Sequence, residues 1–289
     1  MPPRKSPASK LSDYRGIMIE TGVRVDGLGV RCLEEGSGSP ILLVHGGTLG
    51  FSAELWRSCM APLAAAGHRV ISYDQPGFGF SDDPPEFGLR YRQDFIVKLM
   101  DALKLPKLLL VGHSQAGGLV VGAALQTPER FSGVVVLGTG SLLPPLDTQQ
   151  RDVEPPADSE PTLADTRALL EANLHRRAII TPQLLTDYHR MSIARNFTNA
   201  RRRAAAGSGK APSAGVPLWQ RLGEVSVPLM MIYGANDRAS AAQRVGFAKT
   251  RYPDIEYHLL ENCHHIVQWD RPDDVVRLIL DFDRRLLAA

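Results

Sequence analysis

Five short apolar runs, each emptying into a glycine-bearing turn, constrain this chain more than anything else in it. Ile41–Val44 leads into His45–Gly46–Gly47, and His68–Tyr73 into Asp74–Gln75–Pro76–Gly77. Leu108–Val111 leads into Gly112–His113–Ser114, Gly133–Leu137 into Gly138, and Pro228–Tyr233 into Gly234. Runs this short and this uniformly apolar fit strands buried on both faces. Between them lie stretches with helical spacing. Residues 53–66 form one, stopped by Gly67; residues 90–104 form another, with Phe95, Leu99, Met100 and Leu103 on a shared face. Gln115–Thr127 is rich in glycine and alanine, so that helix must approach the sheet closely. Residues 18–24 and 29–34 read as opening strands, Ile255–Leu260 as a late strand, and Asp273–Leu287 as a terminal helix. The alternation predicts an α/β fold: a mostly parallel, twisted sheet flanked by helices on both faces.

The pattern breaks at Gly138 and resumes only near Val227. The intervening segment opens with the proline- and acid-rich Leu143–Pro161, shows helical segments near 163–176 and 182–204, and passes through Gly207–Gly215. A structureless loop of that length does not suit a compact domain, so a helical lid insertion is expected. The predicted organisation is a first core part over 13–140, a lid over 141–226 and a second core part over 227–289. Residues 1–12 read as a loose polar tail with no secretory signal.

Charge and cysteine usage narrow the function classes. Thirty-three basic against 31 acidic residues leave a net charge of +2 across 289 residues, too weak a bias for a nucleic-acid or anionic-membrane partner. No apolar stretch approaches a membrane span. Cys32, Cys59 and Cys263 are too few for a disulfide framework, and a reducing, cytoplasmic setting is the expectation. His264 and His265 are adjacent and no HExxH or paired-cysteine spacing occurs, so no metal is predicted. Neither GxGxxG nor GxxxxGK[ST] occurs, so no cofactor is predicted either.

A hydroxyl becomes a useful nucleophile only when a base can remove its proton and a third group orients that base. Ser114, in Gly112–His113–Ser114–Gln115–Ala116–Gly117–Gly118, sits where a strand turns sharply into a helix. An N-cap serine in a glycine-rich turn is the plainer alternative. His45–Gly46–Gly47–Thr48–Leu49–Gly50 follows an earlier strand, and its glycines let backbone approach a ligand. The N–H groups of Gly47 and Gln115 are the candidate oxyanion hole, with Gly46 as a neighbouring substrate contact. Asp237, in Gly234–Ala235–Asn236–Asp237–Arg238, is either a turn former or the acid that orients the base. His265 is the candidate base, His264 its competitor. His45 and His113 are expected to shape the loops, His113 also lining the substrate site, and Asp74 to fix its own turn. The order Ser, Asp, His at the carboxyl ends of strands is the hydrolase order.

These motifs, with DQPGFGFSD (Asp74–Asp82) and CHHIVQWDRP (Cys263–Pro272), resemble the α/β-hydrolase family across nearly the whole chain. Within it the chain resembles the meta-cleavage-product hydrolases, which cleave a carbon–carbon bond in 2-hydroxy-6-oxo-dienoates formed by ring-opening dioxygenases. That resemblance implies a small, aromatic-derived substrate and assembly into dimers or larger oligomers. It places the family's catalytic histidine on His265, with Trp269 in the segment that follows. Three departures stand out. The oxyanion loop reads HGGTLG where the family has HGGGPG. Ala116 replaces the last glycine of GxSxG. Matching Ile180–Leu185 to the family's lid puts Tyr188 where an arginine binds the substrate's carboxylate, with Arg190 two residues on. Both are carried as substrate-binding candidates.

Two other readings stand beside carbon–carbon hydrolysis. A carboxylesterase or lactonase would use the same triad without the arginine, and Leu174, Ile179, Leu184 and Phe197 in the lid would suit apolar acyl groups. A non-catalytic binding protein on the same fold would need no triad.

Overall fold

A computed structural model describes residues 18–146, 158–208, 215–237 and 240–288. The expected tail at 1–12 and parts of 143–161 and 207–215 lie outside the described residues. Eight strands form one sheet: β1 (Ile19–Val25), β2 (Leu28–Glu35), β3 (Ser39–Val44), β4 (His68–Tyr73), β5 (Leu108–His113), β6 (Phe131–Leu137), β7 (Leu229–Gly234) and β8 (Glu256–Leu260). Their order is β1-β2-β4-β3-β5-β6-β7-β8. The pairings β1–β2 and β2–β4 are antiparallel, and all later ones are parallel.

Each central strand is apolar on both sides because both sides are covered. Leu42, Val44, Leu110, Val134, Val136 and Met231 pack in one cluster, beneath α2 (Leu89–Ala102), α3 (Gln115–Gln126) and α7 (Ala241–Arg251). The alternate residues Ile41, Leu43, Val111, Val135 and Ile232 pack in the other, against α1 (Arg57–Ala65) and α9 (Pro272–Ala288). The spacing predicts one helix over 53–66; the structure has a 3-10 turn, Ala53–Trp56, before α1. The glycines of α3 serve the close approach that the sequence implies. A Cβ on Gly117 would lie 2.0 Å from Thr139 Oγ1, so any larger residue would push α3 off the sheet.

Between β6 and β7 lie α4 (Leu163–Asn173), α5 (Pro182–Arg190) and α6 (Arg195–Ser208), the expected lid. The helical segment expected over 182–204 is two helices. Between them Ala194 takes φ 53°, which no right-handed helix continues through. None of the helices is long and apolar enough to cross a membrane, among the described residues. Sequence reading also passed over α7 and the short α8 (Val267–Asp270).

The lid's first helix is tied to the core by one buried carboxylate. Asp270, 1% exposed, accepts hydrogen bonds from the backbone N–H groups of His175 (3.0 Å), Arg176 (2.8 Å) and His264 (2.8 Å). Asp270→Ala would leave three donors without an acceptor, each worth about 1–3 kcal/mol when buried. The expected result is a fall in Tm of roughly 5–10 °C, read by differential scanning calorimetry. An unchanged Tm would show that the tether contributes nothing.

Candidate active site

Ser114 stands between β5 and α3 with φ 55° and ψ −125°, a backbone conformation that L-residues avoid. Holding it costs on the order of 1–3 kcal/mol. The neighbouring backbone enforces it: Ser114 N–H donates to Leu137 O (2.8 Å), while Ser114 O accepts from Thr139 Oγ1 (2.6 Å) and Gly117 N–H (3.0 Å). The side chain makes no capping bond to α3, so the N-cap alternative does not describe it. Its Oγ instead lies 2.9 Å from His265 Nε2. His265 Nδ1 lies 3.0 Å from Asp237 Oδ2. Asp237 and His265 are buried, at 7% and 3% exposed, while Ser114 is half-buried and reachable. The three residues come from loops after β5, β7 and β8. They form the hydroxyl, imidazole and carboxylate chain that activates a serine.

The other three histidines near the site are engaged elsewhere. His264 has its backbone N–H on Asp270, and its ring lies tilted against that of His175 with centroids 5.7 Å apart. His113 Nε2 donates to His265 O at 2.8 Å, bracing the base from behind. His45 is fully buried; its Nδ1 donates to Gly46 O (2.8 Å) and its Nε2 accepts from Gln75 N–H (3.1 Å). Burial lowers its pKa to about 3, so it stays a neutral spacer between two loops. Asp74 does more than fix its own turn. One oxygen accepts from Ala53 N–H and the other from Phe80 N–H, joining that turn to the segment before α1.

On the oxyanion side, Gln115 is the first residue of α3, where a backbone N–H has no partner within the helix. Among the described residues no group accepts from the N–H of Gly47 or Gln115. Gly46 packs directly on the nucleophile: a Cβ there would sit 2.8 Å from Ser114 Cβ and 3.0 Å from the Phe51 ring. Ala116, the second residue of α3, stands where the elbow motif has glycine and is fully buried in the core.

The structure does not gather the lid candidates around Ser114. Tyr188 is buried, donates its hydroxyl proton to Leu49 O (2.9 Å), and meets the rings of Phe51 and Trp269 edge-on. Trp269 donates its indole N–H to Leu55 O (2.8 Å). Arg190 is exposed, its guanidinium 5.8 Å from the centroid of the Phe80 ring. All three line a cavity of about 660 Å³ whose walls include Phe51 and Met191 but not Ser114, His265 or Gly47. Phe51 stands between this cavity and the triad, with Gly46 and the His113 ring on its inner side. Sequence reading missed Arg92, which lies near the site. It donates to Gln75 Oε1 (2.9 Å) and to Gln115 Oε1 (2.5 Å). The signal was present: position 92 falls on the same face of α2 as Phe95, Ile96 and Leu99.

Comparison with known proteins agrees with this geometry. The family model described as alpha/beta hydrolase fold matches residues 39–272. A 2-hydroxy-6-oxo-6-phenylhexa-2,4-dienoate hydrolase from Burkholderia cepacia is 30% identical over 86% of this chain and 89% of its own length. A 2-hydroxy-6-oxononadienedioate/2-hydroxy-6-oxononatrienedioate hydrolase from Comamonas testosteroni is 28% identical over 86% and 89%. The solved structure of a 2-hydroxy-6-oxo-6-phenylhexa-2,4-dienoate hydrolase from a Rhodococcus species superposes with a TM-score of 0.78. It covers 93% of this chain and 99% of that one, and at 20% identity it speaks for the fold.

Proposed function

Because the chain belongs to the α/β-hydrolase family, in the branch of the meta-cleavage-product hydrolases, we propose that it hydrolyses a carbon–carbon bond of a 2-hydroxy-6-oxo-dienoate. The observation that carries the hydrolase chemistry is the continuous hydrogen-bonded chain from Ser114 Oγ through His265 to Asp237, and the choice of bond rests on the relatives. Relatives 30% and 28% identical to it are hydrolases of such dienoates.

In this reading the substrate's ketone oxygen sits between the N–H groups of Gly47 and Gln115, each worth about 3 kcal/mol once negative charge develops there. His265, oriented by Asp237, first helps the dienol become its keto form, which places an electron sink beside the bond to be broken. His265 then takes the proton of Ser114, or of a water beside it, as the oxygen attacks the ketone carbon. Collapse of that adduct breaks the carbon–carbon bond. The electron pair leaves into the dienolate, which is protonated to the 2-hydroxydienoate, and water supplies the oxygen of the released carboxylic acid. The lid over 141–226 encloses the site between core parts 13–140 and 227–289. The substrate is a small aromatic-derived molecule, the enzyme works in the cytoplasm, and it assembles as a homodimer or larger oligomer.

One observation favours a second reading, a carboxylesterase or lactonase. Tyr188 occupies the position of the family's carboxylate-binding arginine, and its buried hydroxyl is committed to Leu49 O. A single preparation separates the two. Decolourisation of a dienol-ketone is compared with release of p-nitrophenol from short esters. Carbon–carbon hydrolysis predicts the higher kcat/KM on the dienoate; rapid ester turnover with none on the dienoate would replace this reading with the second.

A further inference from the structure

Arg92 is the most buried cation in the described chain, at 2% exposed, and it has an unused donor. Its Nε and Nη1 are spent on Gln75 and Gln115, but Nη2 is buried and meets no acceptor. Buried guanidinium donors are ordinarily satisfied, because each buried orphan costs about 1–3 kcal/mol. Its counter-charge is missing too. Among the described residues no carboxylate lies within ion-pair distance of Arg92 or of Arg203, a second cation that feels the charge of Arg92. Asp83, whose field reaches Arg203, is itself held by Arg195 (2.7 Å) and Arg202 (3.3 Å).

Arg92 and Arg203 share one aromatic ring. The Phe78 centroid lies 4.8 Å from the Arg92 guanidinium carbon and 3.5 Å from that of Arg203. Arg203 donates once, from Nη1 to Gly77 O (2.8 Å). Two desolvated positive charges so placed repel each other unless an anion joins them. Burial lowers the pKa of Arg92 to about 10 and, with the field of Arg92 added, that of Arg203 to about 9. Both shifts have the sign expected of cations lacking a partner.

The pair also adjoins the reacting centre. Gln115, which accepts from Arg92, follows Ser114 in the chain and is exposed to the site. Its amide lies over the oxyanion loop, since a Cβ on Gly47 would come within 2.2 Å of Gln115 Oε1. One glutamine side chain thus separates the unused guanidinium from the candidate oxyanion hole.

We propose that Arg92 and Arg203 form the subsite for the substrate's carboxylate, replacing the lid arginine whose position Tyr188 fills. This deepens the dienoate reading above and rests on it for the choice of ligand. The carboxylate supplies the acceptor that Arg92 Nη2 lacks and the negative charge that both cations lack. Because Arg92 belongs to α2 of the core and Arg203 to α6 of the lid, one anion bonds to both bodies. Neutral esters gain nothing from this site.

The test uses hexa-2,4-dienoate and its neutral primary amide as probes, with binding read by isothermal titration calorimetry. Arg203 is half-buried on α6 and lies outside the sheet's core, so Arg203→Gln and Arg203→Lys both suit the measurement. Wild type is expected to bind the acid at least tenfold more tightly than the amide, and the acid to slow fluorophosphonate labelling of Ser114. Arg203→Gln removes the preference and Arg203→Lys restores part of it. Equal affinities in wild type, or a preference that survives Arg203→Gln, would overturn the proposal. So would inorganic phosphate binding as tightly as the dienoate, or dienoate binding that leaves labelling unchanged, since either marks a general anion site. Failure of the carbon–carbon reading is seen separately, as absent dienoate turnover with the acid preference intact.

Discussion

Ser114→Ala is expected to lower turnover of dienoates and esters alike by about 10⁴-fold or more, and to abolish fluorophosphonate labelling. Among the described residues no other hydroxyl stands at His265 Nε2 to replace it. The same residue carries a stability cost, which gives the prediction a second side. At φ 55° and ψ −125° a Cβ is strained, and glycine is not. Ser114→Gly should therefore be equally inactive yet melt about 2–4 °C above Ser114→Ala, near 1 kcal/mol of relieved strain. Kinetics on both substrates with calorimetry on the two variants checks it. Residual activity above a hundredth of wild type would remove Ser114 from the chemistry.

Asp237→Asn should cost nearly as much, about 10⁴-fold in kcat, through the proton on the other side of the ring. In the native arrangement the carboxylate accepts from Nδ1–H over 3.0 Å, which leaves Nε2 bare and aimed at Ser114. An asparagine that presents its NH₂ to Nδ1 selects the opposite tautomer. Nε2 then carries the hydrogen and cannot take the serine proton. KM should change little, because Asp237 touches no substrate, and fluorophosphonate labelling should slow in parallel with kcat. A loss below tenfold would mean that the ring is oriented by something other than Asp237.

The sheet was legible because its strands are short, apolar on both sides and closed by glycine, a pattern that local sequence states by itself. The loops carrying Ser114, Asp237 and His265 were legible for the same reason, each being the sequel of such a strand. What stayed hidden depends on distance in space. Asp270 reads as an ordinary acidic residue near a helix start, yet it holds three amides from two segments about ninety positions apart in the chain. Arg92 reads as one of several arginines on an amphipathic helix. Its spacing puts it on the apolar face of α2, and only the fold shows that it meets Phe78 and Gln115 there. The lid was visible as an interruption, but not its break near Ala194, because nothing at 191–194 is a glycine or proline. Reading Arg190 as the substitute for the missing arginine went by sequence proximity, and its exposed side chain lies near Phe80 at a cavity whose walls do not include Ser114.

The carboxylate at 270 has a mechanical meaning. The chain just past α4 is fastened to the same loop that bears the imidazole, and Ile266 N–H adds a further bond to Asn173 O at 3.1 Å. That corner of the roof cannot lift without dragging the base away from its serine. A lid motion that keeps these bonds leaves the proton relay from Ser114 through His265 to Asp237 assembled.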